Sequence, residues 1–107
     1  MARTPKRLFG PALLTNAAAT KYTVPAATKT IVRQIHVENP GAAVTLTVSI
    51  GADAAGTRIL DAYTVPANTV IDPPCYYVLE ATEILQAFAS VTNQLVMTVN
   101  GDEYTLG

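Results

Sequence analysis

The chain has 107 residues, half of them apolar, with a mean hydropathy of +0.27 and 14% charged residues. Ordinary soluble chains carry roughly 25%, so much of this surface is neutral, and the size fits one core in one domain. One cysteine, Cys75, excludes an internal disulfide and a multi-thiolate metal site, and no apolar run approaches the roughly 18 residues of a membrane-spanning helix. Net charge is −1, yet residues 1–37 hold six of the seven cations (Arg3, Lys6, Arg7, Lys21, Lys29, Arg33) and no acid, while residues 38–107 hold all eight acids and only Arg58. Such sorting means either a basic tail for nucleic acid or complementary patches that meet between subunits. The second reading fits better: phosphate-backbone affinity needs about six or more contacts, and only three cations cluster near the start. No aromatic-flanked basic stripe accompanies them, so no nucleic-acid partner is expected.

Residues 1–12 read as an extended basic arm containing Pro5, with 8–14 as a first strand that Gly10-Pro11 bulges or places at a sheet edge. The same stretch imitates a secretory signal, basic over 1–7, apolar over 8–14 and small over 17–19, but Gly10-Pro11 interrupts an apolar run that is already minimal. Residues 13–107 read as one β-sandwich domain. A strand over 20–24 leads into a proline corner. Over 30–38, Ile31, Arg33, Ile35 and Val37 share one face, and Val32, Gln34, His36 and Glu38 the other. Asn39-Pro40-Gly41 is a turn, and Val44, Leu46, Val48 and Ile50 alternate with Thr45, Thr47 and Ser49 as a half-buried strand. The small-residue loop 51–56 returns the chain into a strand over 57–65, followed by short strands at 69–71 and 75–79 around Asp72-Pro73-Pro74. Leu95, Met97 and Val99 mark another strand, Asn100-Gly101 reads as a type I′ hairpin turn, and 103–106 reads as the closing strand.

Two further features shape the expectation. Residues 22–28, Tyr-Thr-Val-Pro-Ala-Ala-Thr, recur at 63–69 with six of seven positions matching. Each copy reads as a strand stopped by proline, a small-residue corner and a Thr that opens the next strand. If both corners lie at one end of the sandwich, opposite charges meet there between neighbouring copies. In 81–89, Ala81, Ile84, Leu85 and Phe88 fall at helical spacing. Every neighbouring segment is a strand, however, and a two-layer sandwich has little room for a lone helix, so a strand is expected. The fold class is thus all-β, an antiparallel, jelly-roll-like sandwich of about eight to nine short strands. Fifteen threonines suit its pleated surface and seventeen alanines its filler.

Candidate chemistry is sparse. The serines Ser49 and Ser90 lie in no Gly-flanked elbow, and His36 is the one histidine, so nucleophilic catalysis is not expected. The acids fall mostly in loops and turns, and without Trp there is no sugar platform beside them. The loop 53–56 lacks the alternating oxygens of a calcium loop, one His with one Cys builds no zinc site, and no glycine-rich phosphate loop occurs. No catalytic residue, metal or cofactor is expected. Tyr76 and Tyr77 put adjacent rings on opposite faces, the outer one a candidate interface anchor. Arg33, on an otherwise apolar face, needs a carboxylate from the acidic part of this chain or of a neighbour.

The strings 22–25, 31–39 and 44–51 resemble small β-sandwich virion proteins of tailed bacteriophages, found as capsid decoration or head-fibre proteins and as tail-associated modules. The likeness runs from about Leu13 to Tyr104, ends in the Gly101-Asp102-Glu103 pattern, and departs at Glu83, where such proteins more often have Gly-Asp. It implies self-association, commonly threefold, and docking on a coat or tail protein, and it carries no catalytic residues. The expectation is a non-enzymatic homotrimeric capsid decoration protein on the outer surface of the head. A tail or collar component and a carbohydrate-binding adhesin module are the alternatives. Candidate assembly contacts are Arg3, Lys6 and Arg7, reaching an acidic groove on the coat or a neighbour, together with Arg33. The corners add Tyr22, Pro25, Tyr63 and Pro66, and the adjacent rings add Tyr76 and Tyr77.

Overall fold

Alternation of apolar and polar side chains decides most of the strands, and hydrogen bonding between strands decides the rest. The computed structural model describes residues 2–105 and contains nine strands and no helix among them. They are β1 (Ala2–Leu13), β2 (Ala19–Thr23), β3 (Thr28–Asn39), β4 (Val44–Ile50), β5 (Arg58–Val65), β6 (Thr69–Ile71), β7 (Tyr77–Leu79), β8 (Ile84–Ala89) and β9 (Val96–Thr105). One antiparallel sheet runs β1-β9-β3-β6, with β7 beside the other end of β3, and the second runs β2-β8-β4-β5. Taken as one strand broken at Asp72-Pro73-Pro74, β6 and β7 complete a nested pairing: first with last, second with next to last, and so inward to β4 with β5. That is the strand order of a jelly roll. The inner faces meet over Leu14, Ile35, Leu46, Leu79, Leu85, Leu95 and Met97, all fully buried.

The segment 81–89 is a strand, as expected. In β8, Leu85, Ala87 and Ala89 are buried and alternate with half-buried Ile84, Gln86 and Phe88. Pairing with β2 on one side and β4 on the other gives its backbone the partners a helix would have found internally.

Three expectations are corrected. Residues 2–7 form no free arm: they are the first half of β1 and pair with residues 100–105 of β9. Asn100-Gly101 is no turn, because β9 runs straight through it, and residue 106 of the expected closing strand lies outside the described residues. The faces of β3 also change phase along its length. Thr28, Thr30 and Val32 point inward, then Ile35, Val37 and Asn39, so Ile31 and Arg33 turn outward. The reason is a bulge: Val32 pairs with Gly101 and Gln34 with Asn100, which leaves Arg33 as one extra residue. β1 makes the same adjustment opposite the same stretch, leaving Leu8 extra between Arg7 and Phe9. A second shift in β1 falls at Gly10-Pro11, where Gly10 has φ +75° and lies against the Met97 carbonyl.

Gly101 sits between these two bulges because nothing larger fits. A Cβ there would lie 2.2 Å from the Ile31 carbonyl oxygen and 3.0 Å from Leu8 Cδ1. Gly101→Ala is therefore expected to lower the unfolding free energy by about 2–3 kcal/mol. Gly56→Ala, where an added Cβ meets nothing within 4 Å, should change it by less than about 0.5 kcal/mol. Urea denaturation of the two variants checks this, and equal losses would refute the close-approach account.

Candidate assembly site

The acidic end of β9 lies between the two basic strands β1 and β3, and its side chains alternate between the sheet's faces. Residues paired directly across antiparallel strands share a face. The outer face thus carries Pro5, Asp102, Ile31 and Val78 in one row, and Arg3, Tyr104 and Lys29 in the next. Asp102 accepts a hydrogen bond from Arg33 Nε and pairs with Arg3 Nε at 3.4 Å, and with 3% of its side chain exposed it is covered by the groups that neutralise it. The Arg33 hydrogen bond, with Arg3 alongside, holds the Asp102 carboxyl below the usual carboxylate range against the opposing effect of burial. Arg33 also donates to Tyr104 Oη at 3.4 Å, and its guanidinium lies 5.6 Å from the centre of the Tyr76 ring.

Glu103 faces inward, one residue on. It accepts hydrogen bonds from Tyr22 Oη and, at 3.3 Å, from Lys6 Nζ. Tyr22 Oη also shares a 2.8 Å hydrogen bond with Thr30 Oγ1. Burial first, and then the hydrogen bond to Glu103, push the Tyr22 phenol up to about 12. Lys29 Nζ pairs with Glu80 at 3.5 Å at the end of the same sheet.

Four of the six early cations are thereby matched inside the chain, which narrows the sorted cations left to meet another subunit to Arg7 and Lys21. Arg7 and Lys21 have no ion-pair partner among the described residues, although Lys21 Nζ stands 5.4 Å above the Phe9 ring. Tyr22 is buried with its hydroxyl engaged, so it offers no assembly surface. Arg33 finds its carboxylate in Asp102 of this chain, on the outer face instead of the apolar one. Tyr77 packs on the core, while Tyr76 is 62% exposed, so the adjacent rings do divide between inside and outside. Tyr63, Pro25 and Pro66 are exposed.

The two proline corners share one construction. In each, Val24 or Val65 is buried, the proline is exposed, and the sixth residue, Ala27 or Asn68, has φ near +50° (53° and 51°). Each also passes from the β2-containing sheet to the β1-containing sheet. They do not lie at one end, however: the first enters the beginning of β3, and the second enters β6, which pairs with 37–39 at the far end of β3. The second corner is held by Asn39, a buried residue that sequence reading placed in a turn. Its Nδ2 donates to the carbonyls of Ala42, Val65 and Pro66 at 2.9, 3.1 and 3.0 Å, and its Oδ1 accepts from Gly41 N and Gln94 Nε2. Beside it lies a shallow groove of about 370 Å³ lined by Glu38, Asn39, Pro40, Asn68, Thr69 and Val70.

Reactive groups stand apart. His36 Nδ1 meets Asp72 Oδ1 at 2.8 Å on the outer face, where Gln34 also donates to Asp72. The serine hydroxyls belong to the opposite sheet: Ser49 donates to the Gly51 carbonyl, and Ser90 accepts from Thr45 N. Cys75 is half-buried, and burial pushes its thiol up, away from the reactive thiolate. Among the described residues no group of three or more His, Cys, Asp or Glu stands together to hold a metal ion.

No protein family and no curated protein matches the sequence. Among solved structures, the chain is similar to one described as Bacillus endospore appendages that form a novel family of disulfide-linked pili. The TM-score is 0.57 and the identity 11%, over 98% of this chain and 89% of that one. A structure of infectious bursal disease virus, Gx strain, matches with a TM-score of 0.48 and 11% identity, over 94% of this chain and 29% of the viral one. The first likeness establishes shared fold, and the second is too slight to add to it.

Asp102 and Asp53 both have folded-state pKa values held down, Asp53 by its hydrogen bond with Arg58. Stability from such groups is complete above the unfolded value near 3.8 and is lost as pH falls through the lower folded value. Asp102→Asn removes one of the two groups. Its thermal midpoint should be lower than wild type at neutral pH and should fall less steeply from pH ~4 to ~2. Circular dichroism melts across that range check this, and parallel pH profiles would contradict it.

Proposed function

We propose that this protein is a non-enzymatic structural subunit of a bacteriophage virion, a homotrimeric decoration protein that binds the outer capsid surface and stabilises the head. The observation that carries the reading is the jelly-roll order, in which the charged side chains of β1, β3 and β9 pair with one another across strands and, among the described residues, assemble no reactive group. Jelly rolls recur in capsid and lectin domains. The endospore-appendage protein, similar in fold, is described as forming pili, which supports assembly as the use of this scaffold. The disulfide linkage named for those pili does not carry over as a continuous series: with one cysteine, this sequence joins at most one other copy by a disulfide.

The contact to the coat protein falls on the outer face of the β1-containing sheet, with the exposed Tyr76 ring over Arg33 as its anchor. Tyrosine and arginine dominate binding energy at interfaces out of proportion to their number. This face replaces the expected basic arm as the docking surface, since Arg3 and Lys6 are engaged on β9. The test adds purified protein to particles that lack it and locates it by electron microscopy. Regular copies on the head are expected, with affinity reduced about 30-fold by Tyr76→Ala, a loss of about 2 kcal/mol. Labelling confined to the tail would replace decoration by a tail role, and absence from particles would refute the virion reading.

A further inference from the structure

The sheet orders give the sandwich two lateral sides of opposite character. β1 lies beside β2 at one side, and β5 beside β6 at the other. The β1/β2 side carries no acid; of its cations, Arg3 and Lys6 are engaged by Asp102 and Glu103 of β9, while Arg7 and Lys21 have no ion-pair partner among the described residues. The opposite side, with the loop before β5 and the residue after β6, carries Asp53, Asp61 and Asp72. Its one cation, Arg58, is already held by Asp53 and Asp61, with Nε to Asp53 and Nη1 to Asp61 both at 2.9 Å. Exposed apolar residues accompany both charge sets: Leu13 (49%) on the basic side, Tyr63 (44%) and Val70 (51%) on the acidic side.

We infer that copies of this chain associate head to tail, the basic β1/β2 side of one against the acidic β5/β6 side of the next. The inference deepens the self-associating subunit proposed above. Placing either side against its own copy would bring like charges together, which disfavours a two-fold contact. A contact between different sides repeats around a ring when the rotation closes, and a trimer is one such ring. The contact is made by side chains and not by continuous strand addition. Pro5, Pro11 and two register shifts interrupt the free edge of β1, and Ala62, at φ 47°, interrupts β5.

The test uses the full chain in sedimentation velocity experiments across protein and salt concentration, with folding checked by circular dichroism. Arg7 and Lys21 are suited to it because no ion pair of the described fold depends on them. Wild type should self-associate, more weakly at high salt. Arg7→Glu/Lys21→Glu and Asp61→Lys/Asp72→Lys should each weaken association about tenfold or more. The chain carrying all four substitutions should associate again, its sides complementary once more. A monomeric wild type at every concentration would overturn the inference together with the homotrimer. Association unchanged by either single-side reversal, or not restored in the fourfold variant, would overturn the head-to-tail contact and leave self-association standing. Particle binding is read separately, so a charge-reversal pattern as expected beside a failed particle experiment would refute the virion setting alone.

Discussion

Asp102 and Glu103 are adjacent, so in a strand their carboxylates point to opposite faces, and each finds partners on its own face. Asp102 meets Arg3 and Arg33 outside, while Glu103 meets Lys6 and the Tyr22 hydroxyl inside. Because Arg3 and Lys6 belong to the first strand and Arg33 to the third, two residues of the last strand fasten both neighbours at once. Most contacts of this sandwich join segments distant in sequence, and the first-to-last pairing spans nearly the whole chain. Half-exposed pairs contribute little individually. Here they act where β1 has little apolar surface to bury: residues 2–7 are exposed on both faces.

The same arrangement explains why a chain with sorted charges has few of them left over. Basic and acidic segments far apart in sequence become adjacent strands, and the sorting records the jelly roll's closing pair. What exceeds this internal matching is found at the sandwich's lateral sides: Arg7 and Lys21 on β1 and β2, and, around β5 and β6, three aspartates that share the single arginine Arg58 and the histidine His36. The outer face presents Tyr76. The molecule thus offers chemically different surfaces for unlike contacts, one set for its own copies and another for a partner.

Much of this was legible in the sequence. The 44–50 alternation and the two proline corners follow local rules, although nothing local marks Ala27 for the positive φ it adopts. The strand at 84–89 required the additional argument that its neighbours are strands, since Ala81, Ile84, Leu85 and Phe88 mimic a helix. The irregularity at Gly10-Pro11 was legible, but the bulges at Leu8 and Arg33 were not. A single extra residue reverses every side chain beyond it, and nothing in Ile31-Val32-Arg33-Gln34 marks Arg33 as that residue. Asn100-Gly101 misled for a related reason: the glycine that a tight turn favours is here required by the close approach of β3. The partners of Arg33, Arg3 and Lys6 and the burial of Tyr22 depend on long-range pairing that local pattern does not encode. The bound state of Asn39, read only as part of a turn, had its signal in the nearby corner it ties.

The pairing of Arg33 with Asp102 within one chain joins β3 to β9, and a double-mutant cycle measures that coupling. Unfolding midpoints would be measured for Arg33→Gln, Asp102→Asn and the double variant at neutral pH, at a concentration low enough that the chain is monomeric. If the two side chains act on each other, the double variant is scarcely less stable than Asp102→Asn alone. Losses that add in full would show that the two residues act independently and that the last strand does not hold β3 through Asp102.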